Sequence, residues 1–454
     1  MASIFPYGFL LRCSRRGTSL VSQSSVSKHL HSSWLTFSCR NYSVKSLYKH
    51  GEQVTVAGKE YVADDMTNIT PHLLTHVGQN IHLQKYHPLN HICQRIIQYM
   101  YKKYISSRGN PLFSVHNQLH PVVTTYQNFD SLLIPKDHVS RRKSDNYYIS
   151  EGHLLRAHTS AHQCELISMG FDNFLVIGDV YRRDEIDASH YPVFHQLEGV
   201  RLCTKQEVFG RHQNMDNFKL FENAERTKER QGVHYAEAVQ LLESDLKGCL
   251  LGLAATLFGQ DVEARWVDAY FPFTHPSWEL EVKIGDDWVE LLGCGVIEQE
   301  ILVNCGVQDK IGWAFGLGLE RWAMKLYGIP DIRLFWSTDS GFLSQFKFDD
   351  PTTDVQYKPV SKYTQCSNDI SFWLPAVGHY DSTDFYDIVR YIGGNTVEQV
   401  HLIDTFTHPK KKITSHCYRI VYRHMERILT QKEVNILHKK IEEEAVAKLN
   451  VIIR

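Results

Sequence analysis

The sequence predicts an α+β fold, an antiparallel sheet flanked by helices and followed by a smaller unit in the order β-α-β-β-α-β. Three observations carry that prediction. Short apolar or alternating runs separated by turn residues fill 111–200 and resume at 264–292, the habit of antiparallel strands. Apolar residues at helical spacing precede them at Ile92–Met100 and separate them at Tyr235–Phe258. After a polar, irregular stretch at 347–363, the remainder switches to strand, helix, strand, strand, helix, strand.

At 454 residues, 43% hydrophobic and 22% charged, the chain can bury one large core and one smaller one. Its first fifty residues hold no Asp or Glu but do hold Arg12, Arg15, Arg16, Lys28, Arg40, Lys45 and Lys49 among many serines. That is the composition of a mitochondrial transit peptide, expected over 1–42 with cleavage near Cys39–Ser46 and delivery to the matrix. The apolar run Ile4–Leu11 is interrupted by Pro6 and Gly8 and is too short to span a bilayer, so no membrane partner is expected.

Residues 43–110 form an N-terminal extension and helical region, with Asn68–Ser106 helical and broken near Pro88. The main domain is expected over 111–346. Its strands fall at Pro121–Thr125, Asn146–Ile149, Phe174–Ile177, Ala264–Pro272, Trp278–Ile284 and Trp288–Leu292. Its helices fall at Thr204–Phe209, Tyr235–Phe258 and Gly316–Tyr327. A linker at 347–360 leads to a second domain over 361–454, with strands at Ile370–Leu374, Gln399–Phe406, Ile413–Tyr422 and Val451–Ile453 and helices at Ser382–Ile392 and Lys432–Leu449. In the last helix Val434, Leu437, Ile441, Ala445 and Leu449 make one apolar stripe, and the Glu442–Glu444 run faces solvent.

A net charge of -2 excludes non-specific polyanion binding over the whole surface, so any RNA contact must be local. Ten cysteines without one Cys-x-x-Cys support neither a zinc ribbon nor a redox pair. His158 and His162 are four apart but lack the acidic neighbour of a zinc-binding helix, and no metal-ligating set is expected.

The chemistry concentrates in Gly178–Gly199, which reads as strand, polar loop, strand. Strand alternation pairs Arg182 with Asp184 and sets Phe194, Gln196 and Glu198 on one face. A buried amide and acid need partners, which points to a pocket rather than a core. A second segment, Gly312–Arg321, passes through Gly316 and Gly318, expected to let a helix approach the sheet closely, to Arg321. Arginine keeps its charge and bridges two oxygens, which suits phosphate whose charge builds in a transition state.

Arg182-x-Asp184, His190-x-x-x-Phe194-x-x-x-Glu198 and Gly316-x-Gly318-x-Glu320-Arg321 resemble motifs 2 and 3 of class II aminoacyl-tRNA synthetases. The run Tyr181–Gly199 resembles the phenylalanyl-tRNA synthetase version, with Ser189 where Thr is usual. His120-Pro121 with Asn128-Phe129-Asp130 resembles the motif 1 region, and Leu154–Gln163 the substrate-binding strand, with Ala157 where Thr is usual. The resemblance implies ATP-dependent activation of phenylalanine, with Mg²⁺, and its transfer to tRNA(Phe). It also implies a monomer without a separate editing domain.

Carried over residue by residue, Arg182 and Arg321 become the catalytic pair, one at the reacting phosphate and one at the departing pyrophosphate. Ser160, Ala161, His162, Gln163, Asp184, Ser189, His190, Tyr191, Gln196, Leu197, Glu198 and Glu290 border the substrates, and Phe194 stacks on adenine. Phe271 and Phe273 wall an edge-to-face aromatic cage for phenylalanine, Phe315 adds a wall, Ala314 leaves room at the ring's far edge, and Glu290–Gly295 borders the floor. Against tyrosine, such an apolar pocket discriminates by only about a hundredfold.

The C-terminal unit resembles the ferredoxin-fold anticodon-binding domain. It holds thirteen Lys and Arg against eleven Asp and Glu, so overall charge argues little. Lys410, Lys411, Lys412, Arg419 and Arg423 are the expected phosphate contacts, beside stacking aromatics such as Phe372 or Tyr422. A non-catalytic relative would lack the two arginines, and a small-molecule ligase of the same fold would leave this unit unexplained. On the sequence alone, deleting Ser361–Arg454 is expected to spare phenylalanine-dependent pyrophosphate exchange and cripple tRNA charging; equal charging by the truncated chain would refute the anticodon role.

Overall fold

The computed structural model describes residues 48–210, 217–359, 363–375 and 380–454. The expected transit peptide at 1–42 and its cleavage region lie outside the described residues. A hairpin that the sequence pattern did not reveal, β1 (Gln53–Val56) with β2 (Lys59–Val62), comes first. One helical turn, α1 (Pro71–Leu74), leads to α2 (Pro88–Lys103). Pro88, expected to break a helix, begins one instead, because the first turn of a helix has no use for the N–H that proline lacks. Ile92, Ile96 and Met100 are buried, as their spacing predicts.

Next come β3 (Ser114–His116), β4 (Val122–Thr124), the turn α3 (Thr125–Asn128), β5 (Tyr148–Ser150) and β6 (His153–Leu155). Strands β4, β6 and β5 form a small separate sheet. A short helix, α4 (Gln163–Ser168), precedes the long hairpin of β7 (Asn173–Tyr181) and β8 (Val193–Cys203). Thr204 caps α5 (Lys205–Phe209) in a reciprocal box with Glu207, and α6 (Ala236–Phe258) comes next. Three strands run on in succession, β9 (Ala264–Phe271), β10 (Thr274–Ile284) and β11 (Asp287–Ile297). The domain ends with α7 (Gln299–Asn304), β12 (Ile311–Gly318), α8 (Leu319–Tyr327) and the turn α9 (Ser340–Leu343). The helix expected from Gly316 therefore begins only at Leu319. Backbone pairing wins there, with Gly316 opposite Glu198 and Gly318 opposite Gln196 on β8.

The main sheet runs β3-β7-β8-β12-β11-β10-β9, parallel between β3 and β7 and antiparallel between the other neighbours. On one face α2, α6 and α8 cover it, and Leu242, Leu246, Leu250, Leu253 and Leu257 of α6 make the buried stripe. The opposite face carries a second apolar cluster that includes Phe174, Val200, Phe271, Phe273 and Ala314. Two cavities open on that face.

The second domain has the expected order: β13 (Cys366–Trp373), α10 (Ser382–Gly393), β14 (Val397–Thr407), β15 (Thr414–Tyr422), α11 (Gln431–Leu449) and β16 (Ile452–Ile453). Its antiparallel sheet runs β14-β15-β13-β16. Phe372 and Tyr422, expected to stack on RNA, lie wholly inside its core, because both sit on the strand face that α10 and α11 cover. The Phe372 ring packs 5.3 Å from Phe385 and 5.8 Å from Tyr418. Truncation, Phe372→Ala, should cost roughly 3–5 kcal/mol of this domain's stability in urea unfolding; an unchanged transition would contradict the buried placement.

Candidate active site

Alternation along β8 builds the site. Val193 and Leu197 enter the core under the helices, so Leu197, expected at the substrates, is instead a core side chain. Gln196 and Glu198 emerge on the opposite face, where they line a cavity of about 370 Å³. Its aromatic walls are Phe271 and Phe273, whose rings lie 6.0 Å apart and nearly parallel to each other at 12°. Gly293 and Gly316, paired across β11 and β12, leave the floor bare. A Cβ on Gly316 would meet nothing within 4 Å, so this glycine opens the cavity rather than admitting a helix to the sheet. A Cβ on Gly293 would press 2.9 Å from the Phe271 ring.

Ala314 lines this cavity as expected. Phe315 borders it too, but its ring lies on the other face, 6.1 Å from Trp313 and over Gly199, where a Cβ would come within 2.3 Å of it. The ring is therefore core and not a cage wall. Thr159 and Thr274, which carried no expected role, also line the cavity. Their place beside Ser160 and Phe273 in the same motifs was the available signal.

Glu198 is the cavity's buried acid. Ser160 Oγ donates to its Oε2 at 2.5 Å, Thr159 Oγ1 at 3.3 Å, and Gln163 Nε2 to Oε1 at 3.3 Å. Burial pushes its pKa up to about 7, against the pull of the two hydroxyls. Gln196 is oriented by the Thr159 N–H, which donates to its Oε1 at 3.2 Å. Ala161 and His162 do not line either cavity. Ala161 packs into the apolar cluster, and His162 turns inward to accept from Arg156 Nη1 at 3.0 Å. Burial, reinforced by Arg156, lowers the His162 pKa to about 3, which keeps the ring neutral.

A larger cavity of about 680 Å³ adjoins the first along β8 and β12, lined by Arg182, Asp184, Phe194 and Arg321 together with Ser189, His190 and Tyr191. Gly318, Glu320 and Ile332 complete it. The expected Arg182–Asp184 ion pair is not formed: β7 ends at Tyr181, and beyond it strand alternation no longer holds. Arg182 Nε donates to the Ala157 carbonyl at 2.9 Å, and its guanidinium lies 5.3 Å from the Phe194 ring centre. Burial lowers the Arg182 pKa while the Asp184 charge opposes that shift. Arg321 Nη1 donates to the Glu290 carbonyl at 3.0 Å and sits 3.7 Å from the Glu290 carboxylate, so Glu290 reaches the cavity through Arg321.

Around the rim, Asp187 organises the loop. The Ser189 N–H and hydroxyl donate to it at 2.7 and 2.9 Å, and His190 Nδ1 pairs with it at 2.7 Å. Burial works against a charged His190, but Asp187 prevails and raises its pKa. Beneath Arg321, Glu320 is buried and grips His195 through the backbone N–H at 2.8 Å and Nδ1 at 2.7 Å, which ties α8 to β8.

In the second domain Lys410, Lys411 and Lys412 are exposed in the turn between β14 and β15. Arg419 and Arg423 are already engaged: Arg419 bridges Asp369 with two bonds of 2.8 Å, and Arg423 Nε sits 3.0 Å from Glu398. The aromatics beside the turn are Trp373 and Phe406, with the Arg454 guanidinium 5.2 Å from each ring centre.

A helix-backed antiparallel sheet with these two cavities, followed by a ferredoxin-like domain, is the architecture of a class II tRNA synthetase. The class II core domain (F) family of tRNA synthetases matches residues 73–212 and 228–346, and the ferredoxin-fold anticodon binding domain matches 361–454. The mitochondrial phenylalanine–tRNA ligase of Mus musculus is 56% identical over 401 residues, covering 88% of this chain and 89% of that protein. A probable mitochondrial phenylalanine–tRNA ligase of Drosophila melanogaster is 55% identical over 419 residues, covering 88% and 92%. A phenylalanine–tRNA ligase alpha subunit of Caldicellulosiruptor bescii is 37% identical over 238 residues, covering 49% of this chain and 60% of that one. The chain belongs to the mitochondrial phenylalanine–tRNA ligase family.

Because the neutral form of Glu198 is favoured on folding, its contribution to stability is full below the unfolded pKa near 4.5 and lost as pH rises through about 7. Between pH 5 and 8 the wild type should lose up to about 3 kcal/mol more than Glu198→Gln in urea unfolding. Parallel pH profiles for the two proteins would refute the raised pKa.

Proposed function

We propose that this chain charges tRNA(Phe) with phenylalanine in the mitochondrial matrix, acting as a monomer through a phenylalanyl-adenylate made from ATP. The observation that carries the reading is the adjoining pair of cavities, one aromatic with a buried acid, one larger with two arginines. The phenylalanine ring meets Phe271 and Phe273 edge to face over the Gly293–Gly316 floor, with Ala314 at its far edge. Its ammonium faces Glu198, which ionises as it binds, with Ser160, Gln163 and Gln196 as further polar partners. The substrate carboxylate then points along β8 towards Arg182.

In the larger cavity Phe194 offers its ring to the adenine, and Asp184, Ser189, His190 and Tyr191 border the nucleotide. Attack of the carboxylate on the α-phosphate concentrates negative charge that Arg182 neutralises, and Arg321 receives the leaving pyrophosphate. Mg²⁺ fits as a passenger of the triphosphate: among the described residues no three ligating side chains cluster, and such an ion needs only one or two protein carboxylates. Asp184, which lines the cavity, would hold it, and it would neutralise the pyrophosphate charge. Lys410, Lys411 and Lys412 with Trp373 and Phe406 form the surface that meets the RNA, since Phe372 and Tyr422 are buried.

Arg321→Ala should abolish phenylalanine-dependent exchange of pyrophosphate into ATP while the chain stays folded by circular dichroism, at a lower Tm because the buried Glu290 carboxylate loses its partner. Retained exchange would overturn the divided roles of the two arginines.

A further inference from the structure

The loop that supplies most of the nucleotide cavity's rim is held from both domains. Arg183 Nε donates to Asp387 and Arg183 Nη2 to Asp384, both on α10 and both at 2.7 Å. From the same helix Arg390 Nη2 donates to the Glu185 carbonyl at 2.5 Å and also to the Asp184 carbonyl. The Val400 N–H donates to the Ile186 carbonyl at 3.0 Å, and the Ile186 side chain is buried in the C-terminal core. Tyr191 OH donates to Asn395 Oδ1 at 2.7 Å. The catalytic domain holds the same loop through the Ile332 N–H to the Ala188 carbonyl at 2.8 Å, the Arg183 N–H to the Asp145 carbonyl at 3.1 Å and Arg183 Nη1 to the Lys143 carbonyl at 2.8 Å. Arg182 Nε to the Ala157 carbonyl at 2.9 Å and Tyr191 OH with His76 Nε2 at 3.1 Å add to these. Among the described residues, however, only the C-terminal domain bonds the Asp184 and Glu185 carbonyls.

Arg390 is buried, and its two acceptors are the backbone carbonyls of Asp184, a cavity residue, and its neighbour. We propose that Arg390 is a positioning residue for adenylation: from the C-terminal domain it holds the Asp184–Glu185 backbone so that Arg182 and Asp184 present a formed site to ATP. The inference rests on the reading of the larger cavity as the nucleotide site. Linkage makes the effect reciprocal, so ATP bound there stabilises the docked C-terminal domain by the same factor. Removing 361–454 also removes Arg390, and the expectation from sequence that adenylation survives the deletion untouched is replaced by weakened ATP use.

The test is steady-state pyrophosphate exchange by the full-length chain, with phenylalanine and ATP varied separately and rates normalised to active sites. Arg390→Ala should raise KM for ATP about tenfold, with KM for phenylalanine and kcat changed by less than about twofold. Arg390→Lys should recover part of the loss, since an ammonium can still reach a carbonyl. Asp384→Ala, at a partly exposed position, should shift KM for ATP the same way by less, and it carries the test should Arg390→Ala not fold. An unchanged KM for ATP, or equal changes in both KM values, would overturn the positioning role. Absence of phenylalanine-dependent exchange in the wild type would instead sink the reading of the cavity itself.

Discussion

The site depends on one buried ion pair. Arg156 Nη2 meets Asp179 Oδ1 at 2.6 Å, with both side chains almost wholly inaccessible. Arg156 Nε also donates to the Asp179 carbonyl at 2.6 Å, Tyr181 OH to the carboxylate at 2.5 Å and the Gly78 N–H at 3.1 Å. Two charges removed from water survive only with their remaining hydrogen-bonding capacity satisfied, and here it is. Burial by itself would raise the Asp179 pKa, but Arg156, His195, the Tyr181 hydroxyl and the Gly78 N–H together hold it below its usual value. The guanidinium needs space on β7, and a Cβ on Gly178 would stand 2.2 Å from Nη2. The pair clamps the segment that follows β6 to β7. The adjacent carbonyl of Ala157 can then hold Arg182, and Thr159, Ser160 and Gln163 can reach Glu198.

With that clamp in place, the two cavities arise from the pleat. On β8, Phe194, Gln196 and Glu198 share a face in sequence and in space, but they divide between cavities, Phe194 in the larger and the other two in the smaller. On β12, Ala314 and Gly316 continue the smaller cavity and Gly318 the larger. One strand pair thus lines both cavities side by side. The acid of the smaller cavity, Glu198, has its pKa raised to about 7 by burial.

The polar loop after β7 has a different logic. Strand periodicity stops at Tyr181, and the chain beyond it is shaped by partners far away in sequence, chiefly Asp384, Asp387 and Arg390. Charged residues in that loop therefore do two jobs, Arg182 facing the cavity and Arg183 facing the neighbouring domain. Adjacent arginines in one sequence gave no hint of that division.

Local signals were enough for much of the fold. The α+β class, the β-α-β-β-α-β order, the core stripes of α2 and α11 and the aromatic walls at Phe271 and Phe273 are set by periodicity and motif, because each depends on neighbours two to four residues away. The hairpin β1–β2 and the parallel strand β3 escaped notice, since strands of three or four residues carry too little pattern. Which face a residue serves was legible on β8 but not at Phe315, whose ring is drawn to the far side by the gap at Gly199, a residue over a hundred positions away. Likewise His162 and Phe372 read as ligand contacts until Arg156 and the covering helices claimed them. The sequence by itself determined which chemical groups the protein carries and the family they belong to. The tertiary structure alone decided which of those groups face a substrate, because side-chain direction is set by strand register, by room for a Cβ and by charges paired across domains.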